Sequence, residues 1–264
     1  MSALRVGTGP KAPDGVRIYA VGDIHGRLDL LDRLMDLIVG DSAGRDYART
    51  IVVFLGDYVD HGPDSNGVVD RLINIRRQRN LLSGGDPGRP PPGFAPLFLK
   101  GNHEDFLLSF LQNPASGRIW LQNGGEATLL SYGLAKEVVA EVFWRGDPGL
   151  IKVSSMFRAL LPGDHLRFYQ ALELFYRTGD YFFVHAGVKP GVGLARQKPD
   201  DMLRIGDEFL NWPHHFGAII VHGHSPVLAP EELHNRIGID TGAFWTGKLT
   251  AVGLEGSRRW FLST

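Results

Sequence analysis

The sequence contains no cysteine. That absence excludes disulfide frameworks, thiolate zinc sites and a cysteine nucleophile together. It also lacks an excess of either charge: 28 Lys plus Arg stand against 29 Asp plus Glu, a formal net charge of −1, which argues against a protein that coats nucleic acid. The opening MSALRVGTGPKAPDGVR has no apolar run of the length a signal peptide or membrane anchor requires. The chain therefore reads as soluble and cytoplasmic, without a membrane partner. What it does have is 264 residues, 43% hydrophobic and 22% charged, with ten histidines. That is ample for a buried core, and any metal must be held by imidazole and oxygen.

Apolar runs of strand length recur and stop abruptly at polar clusters. Val16, Ile18 and Ala20 alternate toward Gly22-Asp23-Ile24-His25-Gly26, and the continuous run Ile51 to Leu55 ends at Gly56-Asp57. The second run has the pattern of a strand buried on both faces. Pro96 to Lys100 leads into Gly101-Asn102-His103-Glu104, Tyr181 to Val184 into His185-Ala186-Gly187, and Ala218 to Val221 into His222-Gly223-His224-Ser225. Ligands of open α/β sheets gather outside the carboxyl ends of the strands, so the repeated pattern points to one shared site.

Helical spacing of Leu28, Leu31, Leu34, Met35 and Ile38, and of Val68, Val69, Leu72, Ile73 and Ile75 within Asn66 to Arg77, predicts crossover helices between parallel strands. The segment from about 104 to 177 breaks this rhythm and reads as a helical insertion beside the site, within a single domain over 1–264. In it Asp164 is expected to cap a helix that carries Leu166, Tyr169, Leu172, Phe175 and Tyr176 on one face. Gly84 to Gly93, rich in Gly and Pro, reads as a surface loop. Arg236 to Gly242, Leu249 to Leu254 and Trp260 to Leu262 read as short strands of an antiparallel or mixed sheet.

The strand ends carry the chemistry. Asp23 and His25, two apart across a turn, can face one ion, and Asp57 lies on a neighbouring strand. Asn102, His185 and His224 complete a mixed nitrogen and oxygen set that suits Mn, Fe or Zn better than Ca or Mg. A shared carboxylate would let two ions, about 3.5–4 Å apart, clamp one phosphate. A Gly-Asp pair alone is a common turn, and a lone buried histidine is usually a packed core residue; five such endings in order are not coincidence. His165, His214, His215 and His234 fall outside these endings and read as surface or packing residues.

The blocks GDIHG, GDYVDHGPDS, GNHE, HAG and HGHS resemble, in order, the signatures of the phosphoprotein phosphatase branch of the calcineurin-like metallophosphoesterases. The resemblance spans Asp23 to Thr241 and is nearest to bacterial, Rhizobiales-like members, where Asn123 to Gly133 and Phe183 to Gly191 also have counterparts. It implies an α/β fold, a β-sandwich of two mixed sheets flanked by helices. It implies one divalent ion on Asp23, His25 and Asp57, with Asp57 bridging to a second ion on Asn102, His185 and His224. It further assigns His103 as the acid that protonates the leaving oxygen and Asp60 as the group that orients it, while a metal-bridging hydroxide attacks phosphorus. Tyr58 and Val59 are expected simply to carry the strand onward.

One feature departs from that branch. Its phosphomonoesterases carry arginine directly after the second aspartate of the GDxVDRG block, where this chain has His61, and a second arginine in a segment where the gapless match places Gly206. Guanidinium is always charged and grips two phosphate oxygens; imidazole does neither. His61, Asn102 and Arg204, two residues before Gly206, are the substrate-binding candidates. The leading expectation is a phosphatase acting on phosphomonoesters, including phosphoprotein Ser, Thr or Tyr. The alternative is a phosphodiesterase or dinucleoside polyphosphate hydrolase, because both clamping arginines are replaced. A binding module with vestigial activity is disfavoured by retention of every ligand with His103 and Asp60. The rim candidates are Trp212, Phe216, Phe244 and Trp245.

Overall fold

The computed structural model of the chain describes residues 9–43, 49–78 and 94–264. The predicted Gly84 to Gly93 loop lies outside the described residues. Among the described residues, ten strands form two five-stranded mixed sheets. The first holds β1 (Val16–Val21), β2 (Arg49–Phe54), β3 (Phe94–Phe98), β9 (Thr250–Glu255) and β10 (Arg258–Ser263), in the order β10-β9-β1-β2-β3. The second holds β4 (Phe175–Thr178), β5 (Tyr181–Val184), β6 (Ile219–His222), β7 (Glu231–Glu232) and β8 (Arg236–Gly238), in the order β4-β5-β6-β8-β7.

Side-chain alternation explains why the strands read as unbroken apolar runs. Ile18 and Ala20 of β1 and Ile51 and Val53 of β2 pack inward against Phe183, Val221 and Ile237 of the other sheet. Tyr19, Val21, Val52 and Phe54 point outward into a second core under the helices. Both faces are covered, so no polar face survives. The outer face of the second sheet has its own layer, where Phe182, Val184 and Ile220 meet Met202 and Phe209.

Helices α1 (Leu28–Ser42) and α2 (Ser65–Gln78) arise where the periodicity predicts them, burying Leu31, Leu34 and Ile38 and Val68, Val69 and Leu72. They let β1, β2 and β3 run parallel. In the second sheet β5, β6 and β8 are parallel too. Both sheets therefore bring the carboxyl ends of their parallel strands to one rim.

Between β3 and β4 lie α3 (Asn102–Gln112), α4 (Gly117–Trp120), α5 (Glu126–Ser131), α6 (Lys136–Arg145), α7 (Asp147–Leu160) and α8 (Gly163–Gln170). The helical segment thus begins two residues before the expected start at 104 and ends at Gln170, short of 177. Phe175 and Tyr176 belong to strand β4, where pairing with β5 and stacking of Phe175 on Phe182 (4.9 Å, 15°) override the helical spacing. Asp164 is not the cap, a position taken by Pro162; its carboxylate pairs with Arg77 and Arg167. Among the described residues no helix is long and apolar enough to cross a membrane.

Candidate active site

The predicted residues converge on that rim. Asp23 and His25 follow β1; Asp57, Asp60 and His61 follow β2; Asn102 and His103 open α3 after β3; His185 follows β5 and His224 follows β6. Among the described residues, ligand atoms of Asp23, His25 and Asp57 lie within 4.8 Å of one another, as do those of Asp57, His185 and His224, and those of His25, His61 and His103. Asp57 is common to the first two groups.

The backbone is bent to achieve this. The non-glycine residues with positive φ among those described are His25 (46°), Asp57 (50°), Asp60 (73°), His61 (63°) and His224 (62°), all at the rim. Left-handed conformations are costly for such side chains and persist where surrounding structure over-determines them. Two glycines make room: a Cβ on Gly101 would stand 2.0 Å from Asp57 Oδ1, and one on Gly223 would stand 1.9 Å from Asp23 Oδ1.

Hydrogen bonding orients the imidazoles. His25 Nδ1 lies 2.8 Å from the Val59 carbonyl and His185 Nδ1 lies 3.1 Å from the Leu55 carbonyl. Each Nδ1–H donates there, so each Nε2 lone pair turns toward Asp57 Oδ2, at 3.6 and 3.4 Å. In that tautomer His185 Nε2 and Asn102 Oδ1, 2.8 Å apart, are both acceptors. Asp23 Oδ2 accepts from the His224 amide at 3.0 Å, whereas its Oδ1 is buried without a hydrogen-bond partner. Opposed acceptors and an orphaned carboxylate oxygen are what a cation would satisfy. The donor set fits a divalent metal.

Electrostatics agree. Burial pushes His25 down to about 3 and His224 down to about 4, so both stay neutral and able to ligate. Burial, with Asp240 and Asp57 nearby, holds the Asp23 carboxyl well above its usual range. Burial would likewise raise Asp57, but the imidazoles of His185, His103 and His25 keep it well below. Asp23 and Asp240 are carboxylates short of positive charge.

His103 and Asp60 form a separate unit. His103 Nδ1 is 2.7 Å from Asp60 Oδ2, and Asp60 is completely buried. Trp120 Nε1–H donates to the same oxygen at 2.8 Å and the Thr128 hydroxyl donates to Oδ1 at 2.6 Å. Burial would lower the His103 imidazole, yet Asp57 and Asp60 outweigh it and raise it to about 9. At neutral pH the ring is therefore protonated.

Other residues emerge only from the structure. Glu104 is fully buried; its Oε1 accepts from the amides of Tyr58 (2.8 Å) and Val59 (3.4 Å), and its Oε2 from those of Asp57 (3.0 Å) and Gly101 (2.9 Å). It locks the Asp57 loop to the start of α3. Its position three residues after Gly101 is half of a capping-box pattern, a signal readable in sequence. Trp120 carried no comparable signal, and Thr128 only its place in the Asn123 to Gly133 stretch; both join Asp60 through space. Asp240 follows β8 as one more polar strand end. Tyr58 does not continue the strand, which ends at Phe54; its hydroxyl donates to the Leu99 carbonyl at 2.6 Å and ties the loop down.

Some expectations need correction. His222, in the same block as His224, alternates with Val221 onto the outer face, edge-on to Phe209 at 5.0 Å, with Nε2 3.2 Å from Arg236. Of the histidines in the strand-end blocks, His222 therefore does not reach the centre. His165 is buried against Tyr132 and Asp70, while His214, His215 and His234 are exposed, as anticipated. Arg204 stands near the rim with its guanidinium over the Phe106 ring at 5.1 Å, but it pairs with Asp105 (2.5 Å) and Asp200 (3.0 Å). Of the rim aromatics, Phe244 stacks on His61 at 4.4 Å and 15°, and Trp245 beside it is exposed; Phe216 packs on Phe209, and Trp212 against His214.

A family model described as calcineurin-like phosphoesterase matches residues 16–244. The chain belongs to the calcineurin-like phosphoesterases. Hydrolysis of phosphoric esters is thus its chemistry, and its fold, two mixed sheets flanked by helices, is that of these phosphoesterases. Among curated relatives, the asymmetrical bis(5'-nucleosyl)-tetraphosphatase PrpE of Anoxybacillus flavithermus is 26% identical over 249 residues, 88% of each chain. That of Oceanobacillus iheyensis is 25% identical over 254 residues, 89% of this chain and 88% of its own. The cold-active protein-tyrosine phosphatase of Shewanella sp. shares the fold of this phosphoesterase, with a TM-score of 0.55 at 16% identity over 96% of this chain and 83% of that one. The two sequence relatives just named are tetraphosphatases, so the superfamily expectation holds while the narrower placement among phosphoprotein phosphatases is not what they single out.

Proposed function

We propose that this phosphoesterase hydrolyses dinucleoside polyphosphates, with Asp23, His25 and Asp57 holding one divalent ion and Asp57, Asn102, His185 and His224 a second. The observation that carries this reading is His61. Where phosphomonoesterases of the resembling branch set a guanidinium, this chain has an imidazole that burial and the neighbouring His103 charge depress further, so it is uncharged at neutral pH. Gly206 supplies nothing at the other arginine position, and Arg204 is engaged by two carboxylates. A terminal phosphate with two charges wants such a clamp; an internal phosphate of a polyphosphate chain carries one charge and needs it less. The names of the sequence relatives favour the same substrate class.

Bound at these ligands, two divalent cations, manganese first and iron or zinc next, would supply phosphate charge neutralisation and an attacking hydroxide at neutral pH. The protein's part is positional. The Val59 and Leu55 carbonyls fix the ligating tautomers of His25 and His185. Asp60 holds the proton on His103 Nδ1 and aims Nε2 at the leaving oxygen, to which it gives its proton. Asn102 and His61 contact the substrate phosphates.

The test is a parallel assay of manganese-loaded protein on diadenosine tetraphosphate, p-nitrophenyl phosphate, bis-p-nitrophenyl phosphate and a phosphopeptide. The highest kcat/KM is expected for the tetraphosphate. Preference for either monoester would restore the phosphatase reading.

A further inference from the structure

Next to the candidate centre lies a groove of about 710 Å³, lined by Arg27, Asp32, His61, Pro63, Asp64 and Phe244 among others. Neither the metal ligands nor His103 line it. It begins one ring away from them: the His61 ring is 4.9 Å from that of His25, and Phe244 lies flat on His61 at 4.4 Å and 15°. Phe244 is 38% exposed and lines the groove, an aromatic ring accessible beside the chemistry.

The ring is held rather than loose. Arg27 donates to the Ala243 carbonyl at 3.0 Å while its other nitrogens grip Asp29 at 2.8 and 2.7 Å, tying the start of α1 to the turn that bears Phe244. The His25 ring meets Phe244 edge-on at 5.5 Å. A platform fixed on two sides presents a stacking surface at little entropic cost.

Charge selects what the groove accepts. Arg27 is committed to Asp29, Asp32 pairs with Arg71 at 2.7 Å, and Asp64 adds a further carboxylate. Such a wall repels a polyphosphate arm. It suits a neutral, planar, hydroxyl-bearing group, whose hydroxyls can donate to carboxylates while its flat face stacks on an aromatic ring.

We infer that this groove is a nucleoside subsite: the base stacks on the Phe244 face and the ribose lies along the Asp64 wall, with the attached phosphate reaching the candidate metal centre. This rests on the dinucleoside polyphosphate reading and specifies where one nucleoside sits.

The experiment compares equilibrium binding of adenosine monophosphate and of inorganic phosphate to the full-length, manganese-loaded chain by calorimetry. The wild type should bind the nucleotide at least roughly tenfold more tightly than phosphate, the scale of one base stack. Phe244→Leu, which keeps apolar bulk without an aromatic face, should erase that preference, and Phe244→Trp should keep it. Phosphate affinity in the same samples reports that the site is intact. Equal affinities in the wild type, or an undiminished preference in Phe244→Leu, overturns the subsite. Failure of the assay on diadenosine tetraphosphate with the Phe244-dependent preference intact would instead overturn the proposed substrate and leave the subsite standing.

Discussion

His103 Nδ1 stands 2.7 Å from Asp60 Oδ2, and the same oxygen takes the Trp120 indole N–H at 2.8 Å. A fully buried carboxylate is thereby shared between the predicted acid and a core tryptophan of the helical segment. The arrangement couples proton position at the site to packing of α4 against α3.

Asp60→Asn should lower the His103 pKa, because a neutral amide removes one of the charges that raise it to about 9. In metal-free protein the sign is definite. A histidine whose folded pKa exceeds its unfolded value of 6.5 adds stability that is fully present below 6.5 and is lost as pH rises through about 9. The pH-dependent part of the stability difference between wild type and Asp60→Asn should fade across that window. Imidazole NMR titration of the chelated protein checks the pKa directly; an unshifted His103 would refute the coupling. In catalysis, the variant should lose about 10² in kcat.

Asp57→Asn should remove metal occupancy and activity together, since Asp57 belongs to both ligand groups. Ligand at a hundredfold excess over its Kd stabilises a protein by about 2.7 kcal/mol. Manganese should therefore raise the Tm of the wild type and leave that of the variant unmoved. A retained metal-dependent shift in Tm would contradict the shared-ligand role.

His61→Arg should raise kcat/KM for p-nitrophenyl phosphate by roughly tenfold relative to diadenosine tetraphosphate, the effect of one charge-assisted phosphate contact. The ratio of the two substrates, measured side by side, is the readout. An unchanged ratio would mean that another group already supplies the clamp.

Glu104→Gln should destabilise the chain by about 1–3 kcal/mol without touching a candidate ligand side chain. Both Glu104 oxygens accept backbone amides, and the amide nitrogen of glutamine cannot replace either. Burial and the Asp57 charge push Glu104 up to about 7. A carboxyl raised in the folded state favours folding at low pH and loses that contribution as pH rises from 4.5 through about 7. Denaturant unfolding of metal-free wild type and variant across this range should show the wild-type advantage varying with pH.

Much of this protein was legible as sequence because strand ends are local. Asp23, His25, Asp57, Asn102, His185 and His224 each sit within a few residues of an apolar run, so alternation and an abrupt polar stop mark them before any folding is known. The covered faces of both sheets explain why those runs read as continuous. His222 shows the limit: it shares a block with His224, yet a one-residue alternation sends it to the outer face against Phe209 and Arg236. Strand β4 shows another, since the spacing of Phe175 and Tyr176 fits a helix until β5 is present to pair with them.

The absence of cysteine and the wealth of histidine were fixed by the sequence alone, and with them the nitrogen and oxygen chemistry of any metal centre. The identity of the strand-end residues, and His61 in place of arginine, were equally fixed there. Only the tertiary structure decided that Trp120 and Thr128 hold Asp60, that Glu104 pins the Asp57 loop, that Arg204 is tied to Asp105, and that Phe244 lies on His61. Those contacts join residues far apart along the chain, and no local periodicity encodes a partner that arrives only when two sheets and a helical segment close on one rim.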